Sequence, residues 1–297
     1  MPPDALPYGL PPDGFRLPEA THVGAVTLQI ADLDRSIDYY TRILGLRVVE
    51  RTAASATFTA HDSADPLVRL QAKPGVRPVP HGGAYGLFHF ALLLPERAAL
   101  GRFIVHVANA GARFGSADHA VSEAIYLHDP DGLGIEVYAD RPRDAWRHVD
   151  RELRMGTEPL NTSALIDAAN GEAWTGAPAG TTMGHMHLHV GDLDEARRFF
   201  HGALGFDVTV WRYAGALFFS AGGYHHHLGA NTWAAGRVDL RTHARLLEWQ
   251  LRLPTSADAD AAAESLRENG YRADRGGSGW VVADPWDTQF TLAAGTR

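Results

Sequence analysis

Residues 23–50 read VGAVTLQIADLDRSIDYYTRILGLRVVE, and residues 183–210 read MGHMHLHVGDLDEARRFFHGALGFDVTV; the two stretches align without a gap. Gly24/Gly184, Leu28/Leu188, Asp32/Asp192, Leu33/Leu193, Leu44/Leu204 and Gly45/Gly205 are identical pairs. Each copy predicts a strand, an Asp-Leu-Asp cap, an amphipathic helix and a Leu-Gly stop before another strand. Leu33, Ile37, Tyr40 and Leu44 have helical spacing, and Gly45 sits where a helix-ending glycine belongs. Extended, strand-rich stretches follow at 46–60 and 67–72 in the first copy, and at 207–220 and 224–231 in the second.

A weaker repeat links FHFALLLPERAALGRFIVHVANAGARF (88–114) to LEWQLRLPTSADADAAAESLRENGYRA (247–273). Both predict a strand ending in Leu-Pro, a helix and a glycine (Gly111, Gly270), followed by an Asp-Pro turn at Asp129-Pro130 and Asp284-Pro285. The chain therefore reads as an α+β protein of four βαβββ modules, starting near residues 22, 86, 183 and 243. Residues 1–21 form an N-terminal extension, 22–140 a first two-module domain, 141–180 a linker and 181–297 a second two-module domain. A lone βαβββ unit leaves one sheet face bare, so two must pair around a shared concave surface. Such a surface suits a small-molecule site.

Apolar residues make up 45% of the chain and charged residues 21%, which is the balance of a globular protein with a substantial core. A net charge of −8 disfavours nucleic-acid or anionic-membrane partners, which need a basic face. No apolar run approaches the ~18 residues of a membrane span, and the N-terminus lacks a signal pattern. A cytoplasmic protein is expected. With no cysteine there is neither a disulfide framework nor a thiolate site. The 16 histidines stand out because they cluster: His185, His187 and His189 alternate, and His225, His226 and His227 are consecutive.

The repeated strand–cap–helix start, the Leu-Gly stop and the ending DPDGLGIEVY (129–138) resemble the vicinal-oxygen-chelate superfamily, which includes glyoxalase I, antibiotic-resistance proteins and type I extradiol dioxygenases. More closely, GLFHFALLLP (86–95), DHAVSEAIYLHDPDGLGIEVYADRP (118–142), MGHMHLHVGDL (183–193) and AGGYHHHLGANTW (221–233) are similar to bacterial catechol 2,3-dioxygenase-like proteins. The resemblance implies metal ligands early on a module's first strand and on its last strand. Module two then offers His89 and Glu136, and module three offers His185. Modules one and four carry Ala25, Glu248 and Thr291 at the corresponding positions. Only pairing module two with three, and one with four, gathers His89, Glu136 and His185 around one metal.

Two histidines and a carboxylate with open positions suit Fe(II), with Mn(II) as the alternative. By the same resemblance His226 is the expected proton-transfer residue, with His225 or His227 replacing it if the strand faces the other way. Tyr126 matches a tyrosine that hydrogen-bonds substrate, and His119 a further active-site histidine. The implied activity is extradiol ring cleavage of a small aromatic diol with O₂, giving a hydroxymuconic semialdehyde. Phe88, Phe90, Met186, Leu188 and Trp233 are candidates for an apolar pocket wall and equally for the core. His187 and His189 share the strand face of His185 without thereby becoming ligands, and His22 reads as structural. A glyoxalase-like isomerase or lyase is the first rival. It usually needs a second carboxylate, yet no Asp or Glu lies between Asp207 and Asp239. A non-catalytic protein that sequesters an aromatic ligand is the second rival. Superfamily members often associate, so a homo-oligomer is allowed.

Overall fold

In the computed structural model, which describes residues 8–236, 238 and 240–295, the repeats fold as four similar modules. The first comprises β1 (His22–Ile30), α1 (Leu33–Arg42), β2 (Arg47–Arg51), β3 (Ser55–Thr59) and β4 (Val68–Ala72). The second comprises β5 (Gly86–Leu93), α2 (Arg97–Asn109), β6 (Gly115–Asp118), β7 (Ser122–His128) and β8 (Gly134–Asp140). Between the halves, β9 (His148–Val149) pairs with β10 (Glu152–Leu153), and α3 (Thr162–Ala168) packs on α2. The third module has β11 (Thr182–His189), then α4 (Leu193–Ala196), which continues as a π-helical turn over Arg197–Ala203. Its remaining strands are β12 (Asp207–Val210), β13 (Ala216–Ser220) and β14 (Leu228–Asn231). The fourth has β15 (Arg245–Leu253), α5 (Ser256–Glu268), β16 (Ala273–Gly276), β17 (Gly279–Ala283) and β18 (Gln289–Ala294).

Repeated residues do repeated jobs. Asp32 and Asp192 cap α1 and α4, their carboxylates accepting from the N–H groups of Arg35 and Glu195. Gly45 and Gly205 lie just beyond those helices at φ +71° and +96°, a region that strains any residue with a Cβ. The two Asp-Pro turns match as well. Asp129 Oδ1 accepts from the N–H groups of Asp131 and Leu133, and Asp284 Oδ1 from those of Trp286 and Thr288.

Within each module the first and last strands run parallel side by side: β1 with β4, β5 with β8, β11 with β14 and β15 with β18. That leaves one edge of every first strand open, and modules join by pairing these edges antiparallel, β5 to β11 and β1 to β15. Two eight-stranded sheets result, ordered β12-β13-β14-β11-β5-β8-β7-β6 and β16-β17-β18-β15-β1-β4-β3-β2. Module two thus pairs with three and module one with four, as expected from the ligand distribution.

One apolar cluster runs through both halves and includes Phe58, Phe90, Phe103, Phe200, Trp249 and Phe290. Each such ring contributes on the order of 1.5–3 kcal/mol by burial. Phe90, Met186 and Leu188 sit in this core with no exposure, so they do not line the pocket. The N-terminal extension lies on the third module: Tyr8 donates to Gly223 O, Leu10 bridges to Val208, and Arg16 pairs with Asp207. Residues 1–7 of that extension lie outside the described residues. No helix among the described residues is long and apolar enough to cross a membrane.

Candidate metal centre

The register across β11, β5, β8 and β7 places His185 opposite Ala91, Ala91 opposite Glu136, and Glu136 opposite Tyr126. Residues paired across strands project to one face, so these four form a single row. His89 shares that face two residues before Ala91 on β5. His185 and Glu136 therefore come from strands separated by β5, and only a methyl group stands between them in the row.

Three donor atoms converge there. His89 Nε2 lies 2.9 Å from Glu136 Oε2, His185 Nε2 lies 3.1 Å from the same oxygen, and the two Nε2 atoms are 3.3 Å apart. The three side chains are 4%, 2% and 1% exposed for His89, Glu136 and His185, so bulk water does not screen them. Burial keeps both imidazoles neutral, opposed by the attraction of Glu136. Burial also pushes the Glu136 carboxyl up, but His185 and His89 outweigh it and hold the carboxyl well below its ordinary range. Two neutral imidazoles and one carboxylate are the protonation states a metal ion requires. Among the described residues this is the one group of three histidine, cysteine or acidic side chains able to hold an ion. The donor set therefore fits a divalent cation of the Fe(II)/Mn(II) kind. In the other sheet the corresponding positions close on themselves, Thr291 donating its hydroxyl to Glu248 at 2.5 Å, with Ala25 in place of a histidine.

The trio opens onto a cavity of about 270 Å³, lined also by His119, Tyr126, His187 and His226. Phe88, Met155, Tyr213, Phe218 and Trp233 form its apolar wall. At this size it holds a single-ring ligand rather than an extended one. His226 packs against His185 with ring centroids 4.1 Å apart and the planes tilted by 46°, and burial depresses its basicity strongly. Tyr126 lies 2.5 Å from His119 Nε2, while His119 Nδ1 lies 2.6 Å from Gly156 O. A carbonyl accepts only, so His119 donates from Nδ1, and a ring with that single N–H accepts from Tyr126 at Nε2. Burial and the Glu136 charge raise the Tyr126 hydroxyl well above its ordinary range, which keeps it a donor.

His226 does not reach the cavity by strand alternation, because residues 224–227 precede β14 and are not part of it. Gly222 and Gly223, at φ +59° and +63°, turn the chain there instead. His225 sits behind His226, between it and Asp140, and His227 lines a separate cleft with Tyr224 and Arg143. His187 is a pocket residue that the sequence reading set aside; its alternation with His185 was the available signal. His189 is occupied elsewhere, donating from Nδ1 to Asn231 Oδ1 at 2.6 Å. Met155, Gly156 and Thr157 come from the segment between the halves, where no periodicity marked them as pocket residues.

A concave sheet of two βαβββ modules, presenting two histidines and a glutamate to a small aromatic-walled cavity, defines the vicinal-oxygen-chelate fold with a candidate metal site. The chain belongs to the glyoxalase/bleomycin resistance protein/dioxygenase superfamily, whose family model matches residues 22–137 and 182–286. It is 42% identical over 273 residues to a catechol-2,3-dioxygenase of Bacillus subtilis strain 168, covering 90% of this chain and 95% of that one. Among solved structures, a putative dioxygenase from Bacillus subtilis superposes with a TM-score of 0.68 at 14% identity, over 94% of this chain and 86% of that one. Glyoxalase I from Zea mays superposes with a TM-score of 0.56 at 17% identity, over 92% of each chain. At such identities the two structures speak to the fold alone.

Proposed function

We propose that this protein is a cytoplasmic extradiol dioxygenase that opens the ring of a catechol-type aromatic with O₂, using Fe(II), or Mn(II) in its place, held by His89, His185 and Glu136. The observation that carries the reading is the convergence of this trio on a one-ring cavity that also contains His226 and the Tyr126–His119 pair. The 42% identity to a protein named catechol-2,3-dioxygenase supports the substrate class. When bound, the metal supplies the Lewis acidity and one-electron chemistry that O₂ activation needs.

The chain's own residues supply the rest. His226, neutral and against the cavity, takes a proton from a substrate hydroxyl at Nε2 and returns it as the ring opens. Tyr126 presents its hydroxyl from the row next to Glu136 and is oriented by His119, which Gly156 O fixes in turn. Phe88, Phe218 and Trp233 hold the ring and keep water out. Among the described residues Glu136 is the one carboxylate lining the cavity, so the second carboxylate of an isomerase is missing.

The test is metal content after anaerobic purification and Fe(II) reconstitution, followed by catechol and measured O₂ uptake. The reading requires about one iron per chain and a yellow ring-opened product formed with equimolar O₂. A loaded protein that consumes no O₂ with any catechol overturns it.

A further inference from the structure

We infer that Asp140 and His225 are positioning residues that lock His226 into the tautomer with its proton on Nδ1 and a free lone pair on Nε2. The catalytic consequence of the lock rests on the proposed dioxygenase reading; the lock itself does not.

Asp140 ends β8, four residues beyond Glu136, so one strand carries both a candidate ligand and the anchor of this chain. Asp140 Oδ1 receives two donors, His225 Nε2 at 2.9 Å and the Tyr224 hydroxyl at 3.1 Å. The Tyr138 hydroxyl lies 2.6 Å from that of Tyr224 and donates to it, since the Tyr224 proton is committed to Asp140. A carboxylate oxygen only accepts, so a His225 ring with a single N–H holds it on Nε2 and offers a lone pair at Nδ1. His226 Nδ1 lies 2.7 Å from that lone pair and must be the donor. Nε2 is then the unprotonated nitrogen of a ring that lines the cavity. His225 is fully buried and His226 is 5% exposed, so water does not offer either ring an alternative partner. The opposite tautomer of His226 would set two lone pairs against each other at 2.7 Å.

A histidine meant to accept a substrate proton is useful only in this tautomer. Asp140 is partly exposed and lines a cleft that does not include the metal trio, so its replacement leaves no sealed void.

The test combines ¹⁵N-histidine NMR of diamagnetic Zn(II)-loaded protein with kinetics of Fe(II)-loaded protein on catechol. Wild type should show His226, assigned with His226→Gln, protonated at Nδ1 and bare at Nε2. Asp140→Ala should give mixed tautomers, with kcat lowered about tenfold or more while KM and metal content stay within about twofold. Asp140→Asn, whose side-chain carbonyl can take both hydrogen bonds on one oxygen, should restore the wild-type spectrum and most of kcat. Three outcomes overturn the inference: His226 protonated at Nε2 in wild type, an unchanged tautomer in Asp140→Ala, or Asp140→Asn as impaired as Asp140→Ala. If no catechol is cleaved, the dioxygenase reading fails, and the spectra still decide the lock.

Discussion

His185 and Glu136 meet across a strand that belongs to neither, Nε2 and Oε2 3.1 Å apart, with Ala91 of β5 between them in the row. Ala91 is fully buried, and a larger side chain would enter the space where the ligand atoms converge. Ala91→Val should lower bound metal about tenfold or more and cost about 1–3 kcal/mol by overpacking. Metal analysis after dialysis and urea unfolding check this. Full metal content in a folded Ala91→Val protein would show that the small residue is not what lets the row close.

His185→Ala and His226→Ala separate ligand from acid–base group. Both rings are buried at the same cavity and pack against each other with centroids 4.1 Å apart, so loss of either disturbs similar packing. His185→Ala should abolish stoichiometric metal binding. His226→Ala should keep the metal and lose ~10²–10⁴-fold in turnover. Loss of metal in His226→Ala would instead make that residue a ligand.

Asp129 gives the stability a pH dependence of known sign. Burial, against its backbone hydrogen bonds to Leu133 and Asp131, raises its carboxyl from 3.8 to about 7. The folded chain therefore binds this proton more tightly than the unfolded one. The stability it contributes is complete below pH about 4 and is lost as pH rises towards 7, at most roughly 4 kcal/mol. Asp129→Asn keeps the accepting Oδ1 and removes the charge. The difference in unfolding free energy between variant and wild type should move in the variant's favour from pH 4 to pH 8. A difference that stays flat over that range refutes the assignment.

The fold was legible because the repeat carries its own punctuation. Asp32 and Asp192 cap, Gly45 and Gly205 stop, and the Asp-Pro turns fold alike, all by contacts within a few residues. The module pairing was legible for a different reason: a metal needs its ligands together, and one pairing alone gathers His89, Glu136 and His185. What escaped depends on distant chain. Gly156 reaches His119 through its carbonyl, which no side-chain pattern encodes. The run His225–His227 looks like a strand by composition, yet the two glycines before it set its direction. For Phe90, Met186 and Leu188 the sequence left pocket wall and core equally open, because hydrophobicity does not distinguish the two faces of a strand, and all three lie in the core.

Gly184, the counterpart of Gly24 in the repeat, is fixed by space rather than by backbone freedom. A Cβ there would stand 1.9 Å from the Tyr138 hydroxyl oxygen. Tyr138 is fully buried and hydrogen-bonded to Tyr224, and its ring centroid lies 4.9 Å from that of His185, so it has nowhere to retreat without moving a candidate ligand. Gly184→Ala should cost about 3 kcal/mol or more, the upper end of overpacking penalties. Gly202 is the control: it lies in the π-helical turn after α4 with nothing within 4 Å of an added Cβ. Gly202→Ala should stabilise by about 0.5–1 kcal/mol through the lower conformational entropy of the unfolded chain. Adding Tyr138→Phe to Gly184→Ala should recover part of the loss, since the hydroxyl is the nearest clashing atom. Denaturant unfolding of the four proteins decides the matter. Equal effects of the two Gly→Ala changes would mean that the first strand of module three has room the structure does not show.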